Sequence, residues 1–321
     1  MPTQEIKKGE FPVVYSNGIL RHHKHYKCEA PGLITGRSGT IGKFTFVENG
    51  KYWPHNTSLW VTDFCGNHPQ YMYYLFQTIN IEQYATGSGV PTLNRNDVHR
   101  HIVFVPSVDE QKKIAEFLSI VDERIATQIG AIEKIESLIS CLYDKLFQTE
   151  TGETKPLKEI CQIRKGEQVN SDQLSEKGEY YVMNGGITPS GYWNKFNTES
   201  RTISISEGGN SCGYVQYNKH RFWSGGHCYT LHPDNERVLT KYLFHYLKYR
   251  QQDIMALRIG SGLPNIQKKD LENYRILITP FAKQMHIVEI LDGFYCKLNI
   301  EEQLLEQYKL QKQYLLSQMF V

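Results

Sequence analysis

A chain of 321 residues, 40% hydrophobic and rich in Tyr and Phe, is long enough for two cores, and two domains are expected. No stretch approaches the roughly 18–20 apolar residues of a membrane span, and the opening MPTQEIKKGEF has no apolar signal region, so a cytoplasmic, membrane-free protein is expected. An odd set of seven cysteines (Cys28, Cys65, Cys141, Cys161, Cys212, Cys228, Cys296) without a C-x-x-C pair argues against a disulfide framework or structural zinc.

The formal charge of +2 is unevenly placed. Residues 1–105 carry ten Lys/Arg against seven Asp/Glu, and residues 155–280 seventeen against twelve. The intervening segments 106–154 and 281–321 carry five against ten and four against five. Basic globules joined by acidic segments fit nucleic-acid readers whose connecting parts face protein partners.

Taken in chain order, residues 1–106 predict a β-rich head. Short runs such as Gly32–Thr35, Phe44–Val47 and Ser58–Val61 are punctuated by Gly, Asn and Ser, and a helix-like stretch follows at 69–84. Gly-rich turns at Gly36–Gly42 and Gly87–Gly89 would bring backbone N–H groups to an anion such as a DNA phosphate, or serve as ordinary tight turns. Side chains suited to duplex contacts are Arg21, His22, His23, Lys24, His25, Arg37, Ser38, Lys43, Asn94 and Arg95.

Residues 107–150 predict one long helix. Ile114, Leu118, Val121, Ile125, Gln128, Ile132, Ile135, Ile139, Leu142 and Leu146 step by 4 and 3, a 3.5-residue period that marks a coiled-coil seam. Residues 151–280 return to the β-rich texture, with runs at Arg201–Ser206, Gly213–Tyr217 and Cys228–Leu231, a helix-like stretch at 239–257, and Gly-rich turns at Glu207–Gly213 and Gly260–Gly262. Its candidate contacts are Asn194, Lys195, Asn210, Ser211, Lys219, His220, Arg221, Gln267, Lys268 and Lys269. Residues 281–321 predict the second long helix, with a seam of Ile287, Leu291, Phe294, Leu298, Leu305, Tyr308, Leu315 and Met319, interrupted at Glu301 and Lys312. Glu301 shares the repeat position of Gln128; a polar pair there fixes register or marks a local opening.

The two halves are one sequence twice. Residues 87–147 overlay residues 260–320 at a constant offset of 173, placing Asp97 on Asp270, Gln111 on Gln284, Leu118 on Leu291 and Phe147 on Phe320. Such a unit exceeds solenoid repeats and reads as a duplicated module. A twofold-related chain pairs its long helices antiparallel, as a rod of fixed length. Catalytic signatures fail. His22–Cys28 lacks a second ligand pair for a metal, Gly36–Phe44 departs from phosphate-loop spacing, and no Asn/Asp-Pro-Pro-Tyr/Phe run is present.

In kind and order these motifs resemble the specificity (S) subunit of type I restriction-modification systems. Lys155–Gly166 is similar to that family's opening of a target recognition domain, and Tyr15–Ile19 and Gly36–Gly42 to its interior signatures. Gly87–Leu93, Val105–Pro106 and Gln111–Leu118 are similar to the stretch leading into its conserved-region helix. The resemblance implies an α+β protein: target recognition domains at 1–106 and 151–280, separated by conserved-region helices at 107–150 and 281–321 that form an antiparallel coiled coil. It implies a non-catalytic reader of a bipartite double-stranded DNA target. Two methyltransferase (M) subunits carrying S-adenosylmethionine would join it, with restriction/motor (R) subunits carrying ATP and magnesium. In one departure, Pro156–Asn170 has no counterpart before Gln4, so the first recognition domain is expected to lack its opening strand and to expose an edge. Two alternatives stay open: a catalytic nuclease fused to a recognition domain, and a coiled-coil scaffold whose heads bind other ligands without DNA specificity.

Overall fold

The computed structural model describes residues 8–320 except 88, 149, 150, 261 and 263; the repeat matches at Ser88, Ser261 and Leu263 and the end of the first helix segment therefore lie outside the described residues. The chain divides into two units, residues 1–130 with 302–321, and residues 131–301.

Unit 1 opens with strands β1 (Phe11–Tyr15), β2 (Gly18–His23), β3 (Cys28–Glu29), β4 (Gly32–Gly36), β5 (Phe44–Val47), β6 (Lys51–Pro54) and β7 (Ser58–Trp60). Helix α1 (Pro69–Thr78), the short pair β8 (Ala85–Thr86) and β9 (Thr92–Leu93), and one turn of helix α2 (Arg95–Val98) lead to the long helix α3 (Val108–Gln148). The strands form sheets β2-β1-β6-β3 and β5-β4-β7. Proline at the first position suits the start of α1, where His68 caps it by accepting from the Tyr71 N–H. Tyr71, Tyr74 and Leu75, spaced by 3 and 1, make its buried face.

Unit 2 repeats the plan with β10 (Glu153–Pro156), β11 (Cys161–Lys165), β12 (Tyr180–Met183), β13 (Gly191–Trp193), β14 (Thr202–Ser206), β15 (Val215–Asn218), β16 (Phe222–Ser224) and β17 (Cys228–Pro233). Helices α4 (Thr240–Tyr249), α5 (Gln251–Ala256) and α6 (Lys268–Asn273) precede β18 (Arg275–Ile278) and the long helix α7 (Phe281–Met319). β12 pairs antiparallel with β13 and parallel with β16, as β1 does with β2 and β6; Val182 lies opposite Trp223 where Val13 lies opposite Trp53. The other sheet has order β11-β17-β14-β15 and matches β7-β4-β5, with β11 added. Among the described residues unit 1 has no strand corresponding to β10 or β11.

The seam positions read from the 3.5 period are all buried or half-buried. In unit 1 the pairing is antiparallel: Phe320 packs with Ile114 and Ala115, Lys312 pairs with Asp122 at 2.6 Å, and Arg124 lies 5.7 Å from the Tyr308 ring. The interruption at Lys312 is thus filled, its ammonium also facing Tyr74, whose hydroxyl donates to Asp122. In unit 2, Ile135, Ile139, Ile287 and Leu291 belong to one core with the head. Tyr143 and Phe147, beside the seam, are more deeply buried than Leu142 and Leu146, because both stack on Tyr249 of α4 and Phe147 also meets Tyr242 and Tyr246.

One glutamine joins each long helix to its head. In the first turn of α3, Gln111 is 1% exposed; its Oε1 accepts from the His68 N–H at 2.8 Å, and its Nε2 donates to Asn67 Oδ1 and the Pro106 carbonyl. In the first turn of α7, Gln284 is also 1% exposed; Oε1 accepts from the Leu239 N–H at 2.9 Å, and Nε2 donates to the Thr279 and Arg237 carbonyls. Both amides serve the residue that precedes the head helix, so two helix ends and one connecting strand are fixed by a single side chain.

Unit 2 also buries a polar cluster. His245 is fully buried, with Nε2 3.0 Å from Asp292 Oδ1 and Nδ1 3.3 Å from the Tyr143 hydroxyl, which meets the Tyr295 hydroxyl at 2.9 Å. Lys241 pairs with Asp292 from the other side. Burial pushes the His245 imidazolium down from its ordinary pKa, against the pull of the Asp292 carboxylate. Burial works to raise Asp292, and hydrogen bonds from His245 and Lys241 outweigh it and hold the carboxyl low.

Two measurements test these features. Gln111→Leu and Gln284→Leu each strand buried backbone groups and are expected to cost about 2–4 kcal/mol in urea denaturation, against under ~0.5 kcal/mol for an exposed control such as Lys113→Ala. Because the folded pKa of His245 is depressed, the unfolded chain takes up a proton first as pH falls below about 6.5. Stability is expected to drop between about pH 6.5 and 5, and His245→Gln should flatten that drop. Asp292 adds its own loss only below its ordinary range near pH 4.

Candidate nucleic-acid interface

In each unit the Gly-rich loop after the central strand meets the loop before the short helix. In unit 1 the Gly39 N–H donates to the Pro91 carbonyl, the Leu93 N–H to the Arg37 carbonyl at 2.7 Å, and Ser38 bridges Thr92. In unit 2 the Gly209 N–H donates to Pro264 at 3.0 Å and the Ile266 N–H to Glu207 at 2.8 Å. Gly39 and Gly209 hold φ of +85° and +78°, which only glycine adopts without strain. These contacts align Arg37 with Glu207, one residue away from the glycine-by-glycine match, since the unit 2 loop has one residue more.

The expectation that these turns aim N–H groups at a phosphate is corrected at the loop centres. The amides of Arg37, Ser38 and Gly39, and of Glu207, Gly209, Cys212 and Gly213, all donate to carbonyls inside their own unit. The turns build the junction. Those seven amides are committed to the junction itself.

At the unit 1 junction, Arg37 and Arg95 are exposed, and their guanidinium groups make no hydrogen bond or ion pair among the described residues. Ser38 is half-buried, Asn94 caps α2 through the Asn96 N–H, and Lys43 donates to the Asn17 carbonyl at 2.8 Å, pinning the β1–β2 turn beside them. The basic run 21–25 stands elsewhere. The β1–β2 register puts Phe11 opposite His23 at the hairpin end away from that turn, roughly 15 Å along the strands. Arg21, His22, Lys24 and His25 are exposed there, whereas His23 is 1% exposed, edge-on to Trp53 at 5.6 Å, and belongs to the interior.

At the unit 2 junction, Asn210, Gln267, Lys268 and Lys269 are exposed and Ser211 is half-buried; Lys268 pairs with Glu272 at 3.5 Å. Asn194, Lys195 and Arg221 gather around aromatic rings: Lys195 lies 5.3 Å from Trp193, which meets Trp223 edge-on at 4.4 Å, and Arg221 lies 4.7 Å from Phe196 while pairing with Glu199 at 2.9 Å. Lys219 and His220 occupy the turn leading to β16. A polar centre was missed by sequence reasoning. Glu207 Oε1 accepts from Lys165 Nζ at 2.6 Å and from the Tyr229 hydroxyl at 2.9 Å, and Tyr229 also donates to the Ile266 carbonyl. Glu207 Oε2 is buried without a hydrogen bond among the described residues, His227 Nδ1 being 3.7 Å from it. Nothing in a single acidic residue within a Gly-rich turn announces that role.

The described residues contain neither a cluster of His, Cys, Asp and Glu suited to a metal ion nor a helix long and apolar enough to cross a membrane.

A mixed α/β head followed by a long helix, present twice, is the arrangement these observations define. Residues 2–137 and 149–310 match the type I restriction modification DNA specificity domain, and the chain belongs to that family. A putative type I specificity subunit of Mycoplasma pneumoniae is 32% identical over 164 residues, covering 50% of this chain and 44% of that protein. One from Mycoplasma genitalium is 30% identical, covering 48% and 42%. The chain thus matches less than half the length of these two curated relatives. A putative type I restriction enzyme specificity subunit of Methanocaldococcus jannaschii is 24% identical over 277 residues, covering 74% and 64%. The crystal structure of the S subunit of a type I restriction-modification system from M. genitalium shares the fold at a TM-score of 0.75, with 21% identity, over all of this chain and 91% of that one.

If Glu207 organises the unit 2 junction, Glu207→Leu should cost about 2–3 kcal/mol by urea denaturation, since it leaves the Lys165 ammonium and Tyr229 hydroxyl without their acceptor. Glu207→Gln, which keeps an acceptor for Tyr229, should cost about half as much.

Proposed function

We propose that this protein is the non-catalytic, DNA-reading specificity subunit of a type I restriction-modification complex. The observation that carries the reading is the family match over both repeats, joined to a loop junction rimmed with Arg, Lys, Asn and Gln in each unit. Each head would settle on phosphates through lysines and arginines and read base edges in the major groove with rim side chains: Arg37 and Arg95 in unit 1, and Asn210, Gln267 and Lys269 in unit 2. The target would be split, one half per head. The helices α3 and α7, each of which runs from one unit into the other, would set the spacer.

On this reading two methyltransferase subunits hold the helices and supply the S-adenosylmethionine site. Motor-nuclease subunits bring ATP and magnesium, and the chain itself performs no chemistry. The excess acidic charge of residues 106–154 supports a protein-facing role for that helix.

Co-expression with the methyltransferase gene of the same genome, followed by single-molecule sequencing for methylated adenines, tests the reading. A split motif with a fixed spacer is expected. Within that complex, Arg37→Ala should leave assembly and thermal stability unchanged and weaken duplex binding by roughly tenfold or more. Lengthening both helices by one turn, about 5.4 Å, should shift the accepted spacer by about one or two base pairs with both half-sites kept. A changed half-site at constant spacer contradicts the helix-as-ruler reading. Binding that is indifferent to salt and to duplex DNA favours a coiled-coil scaffold instead.

A further inference from the structure

Across each junction stands a second side chain, and the two units differ there as well. In unit 1 the Arg37 N–H donates to the Thr57 carbonyl at 2.7 Å, and in unit 2 the Glu207 N–H donates to the His227 carbonyl at 2.9 Å. The strand registers agree, with Gly36 opposite Ser58 and Ser206 opposite Cys228, so Thr57 and His227 occupy one place. In unit 1 the Thr57 hydroxyl is engaged with His55 Nδ1 at 2.9 Å, and Arg37 is the exposed group. Unit 2 reverses this order. Its acid lies inside, and the exposed group is His227, with a side chain 63% accessible.

Glu207 and His227 form an incomplete pair. Lys165, at the end of β11, and Tyr229, on β17, both donate to Glu207 Oε1. Glu207 Oε2 is left buried with no hydrogen bond among the described residues, and His227 Nδ1 stands 3.7 Å from it, just too far for one. The imidazole has room to close that gap. It lies between two glycines: a Cβ on Gly185 would meet His227 Cβ at 3.1 Å, and one on Gly208 would come to 4.0 Å from Nδ1. Gly185 holds φ of +83°, where a side chain is strained in any case. Asn184 Oδ1 accepts from the His227 main-chain N–H at 3.1 Å, which ties the backbone and leaves the ring to turn. His227 Nε2 meets no partner among the described residues.

We infer that His227 reads the half-site of unit 2: its imidazolium donates from Nδ1 to Glu207 Oε2 and from Nε2 to a base-edge acceptor, guanine O6 or N7. A neutral ring donates from one nitrogen only, so a carboxylate on one side and an acceptor on the other together demand both protons. Lys165 does not cancel the pairing, because it occupies the other carboxylate oxygen. Glu207 is then a positioning residue. The cation that Arg37 supplies from one side of the unit 1 junction comes, in unit 2, from the opposite side. His227 takes this part only if the heads read DNA, as proposed above.

The test uses the complex with the methyltransferase subunits and measures binding to duplexes carrying the split motif, each half altered in turn. His227→Gln is expected to lose roughly tenfold or more in discrimination at one half, and Arg37→Ala the same at the other half. Thermal stability should be unchanged by His227→Gln, since the ring is exposed. Affinity of the unaltered protein should fall roughly tenfold between about pH 6.5 and 8.5, as the imidazolium is lost. Arg37→Ala keeps that fall, His227→Gln abolishes it, and Glu207→Gln moves it to lower pH. A pH profile untouched by His227→Gln overturns the inference, as does action of both variants on the same half. Equal weakening on matched and altered duplexes assigns a phosphate contact and overturns it too. Failure of the unaltered complex to prefer any motif overturns the DNA-reading function itself, and the role of His227 with it.

Discussion

The buried glutamine at the start of each long helix is the contact from which the rest of each unit is positioned. A helix N-terminus leaves N–H groups without partners, and a strand that ends inside a core leaves carbonyls. Gln111 and Gln284 answer both at once, because a carboxamide has an acceptor and two donors on one rigid plane. The acceptor takes the N–H that precedes the head helix, and the donors take one carbonyl from the chain entering the long helix (Pro106, Thr279) and one oxygen from the chain ahead of the head helix (Asn67 Oδ1, the Arg237 carbonyl). Neither Leu nor Glu does this: one has no polar atoms, and the other only accepts when ionised. The head helix and the long helix therefore keep one mutual setting, and the seam residues downstream follow from it.

Around that shared contact the two units diverge at the rim of the loop junction. The strands that flank the junction and its loop-to-loop hydrogen bonds correspond, so the junction is a constant frame. Its central side chain is not: Arg37 projects a cation that meets no partner among the described residues, and the equivalent Glu207 is a buried acceptor tied to Lys165 and Tyr229. Backbone amides used to build the frame are not open to a ligand, so the two junctions differ chiefly in their side chains. This division lets the rim vary while the fold stays constant.

Much of this was legible in the sequence. The 3.5-residue period had only one structural solution, and the seam positions from Ile114 to Met319 lie buried or half-buried. The coincidence of Gln111 with Gln284 at the repeat offset was visible too, although its role needed the position of His68 and Leu239 in space. Other features depend on tertiary placement and leave no local trace. His23 sits in a run of basic residues that reads as surface, yet strand alternation and Trp53 turn it inward. Tyr143 and Phe147 fall outside the seam and are drawn in by the aromatic face of α4. The direction of the Gly-loop amides was undecidable beforehand, since a turn that cradles an anion and a turn that pins a neighbouring loop use the same residues.

The asymmetry between the units has an energetic consequence. In unit 2 the β10–β11 piece sends Leu157, Ile160 and Ile163 among Ile203, Leu231, Leu243 and Ile276, and most of the buried side chains form one continuous cluster that reaches the long helices, with Met183, Phe222 and Cys228 apart. In unit 1 the buried residues fall into separate clusters: Val14 with Ile34, Val47 and Tyr52; Ile41 with Ile81 and Leu93; and Tyr71 with Leu75 and Ala115. Residues that would bridge them are those the described chain lacks. Cooperative stability follows contiguous burial, so the described part of unit 1 should open locally at a lower free energy than unit 2, beginning at the edge of β7 and at residues 102–105, which have no further strand partner among the described residues. The two heads of a repeated protein need not be equally rigid. Here the difference traces to Leu157, Ile160 and Ile163, present in one core and without a counterpart among the described residues of the other.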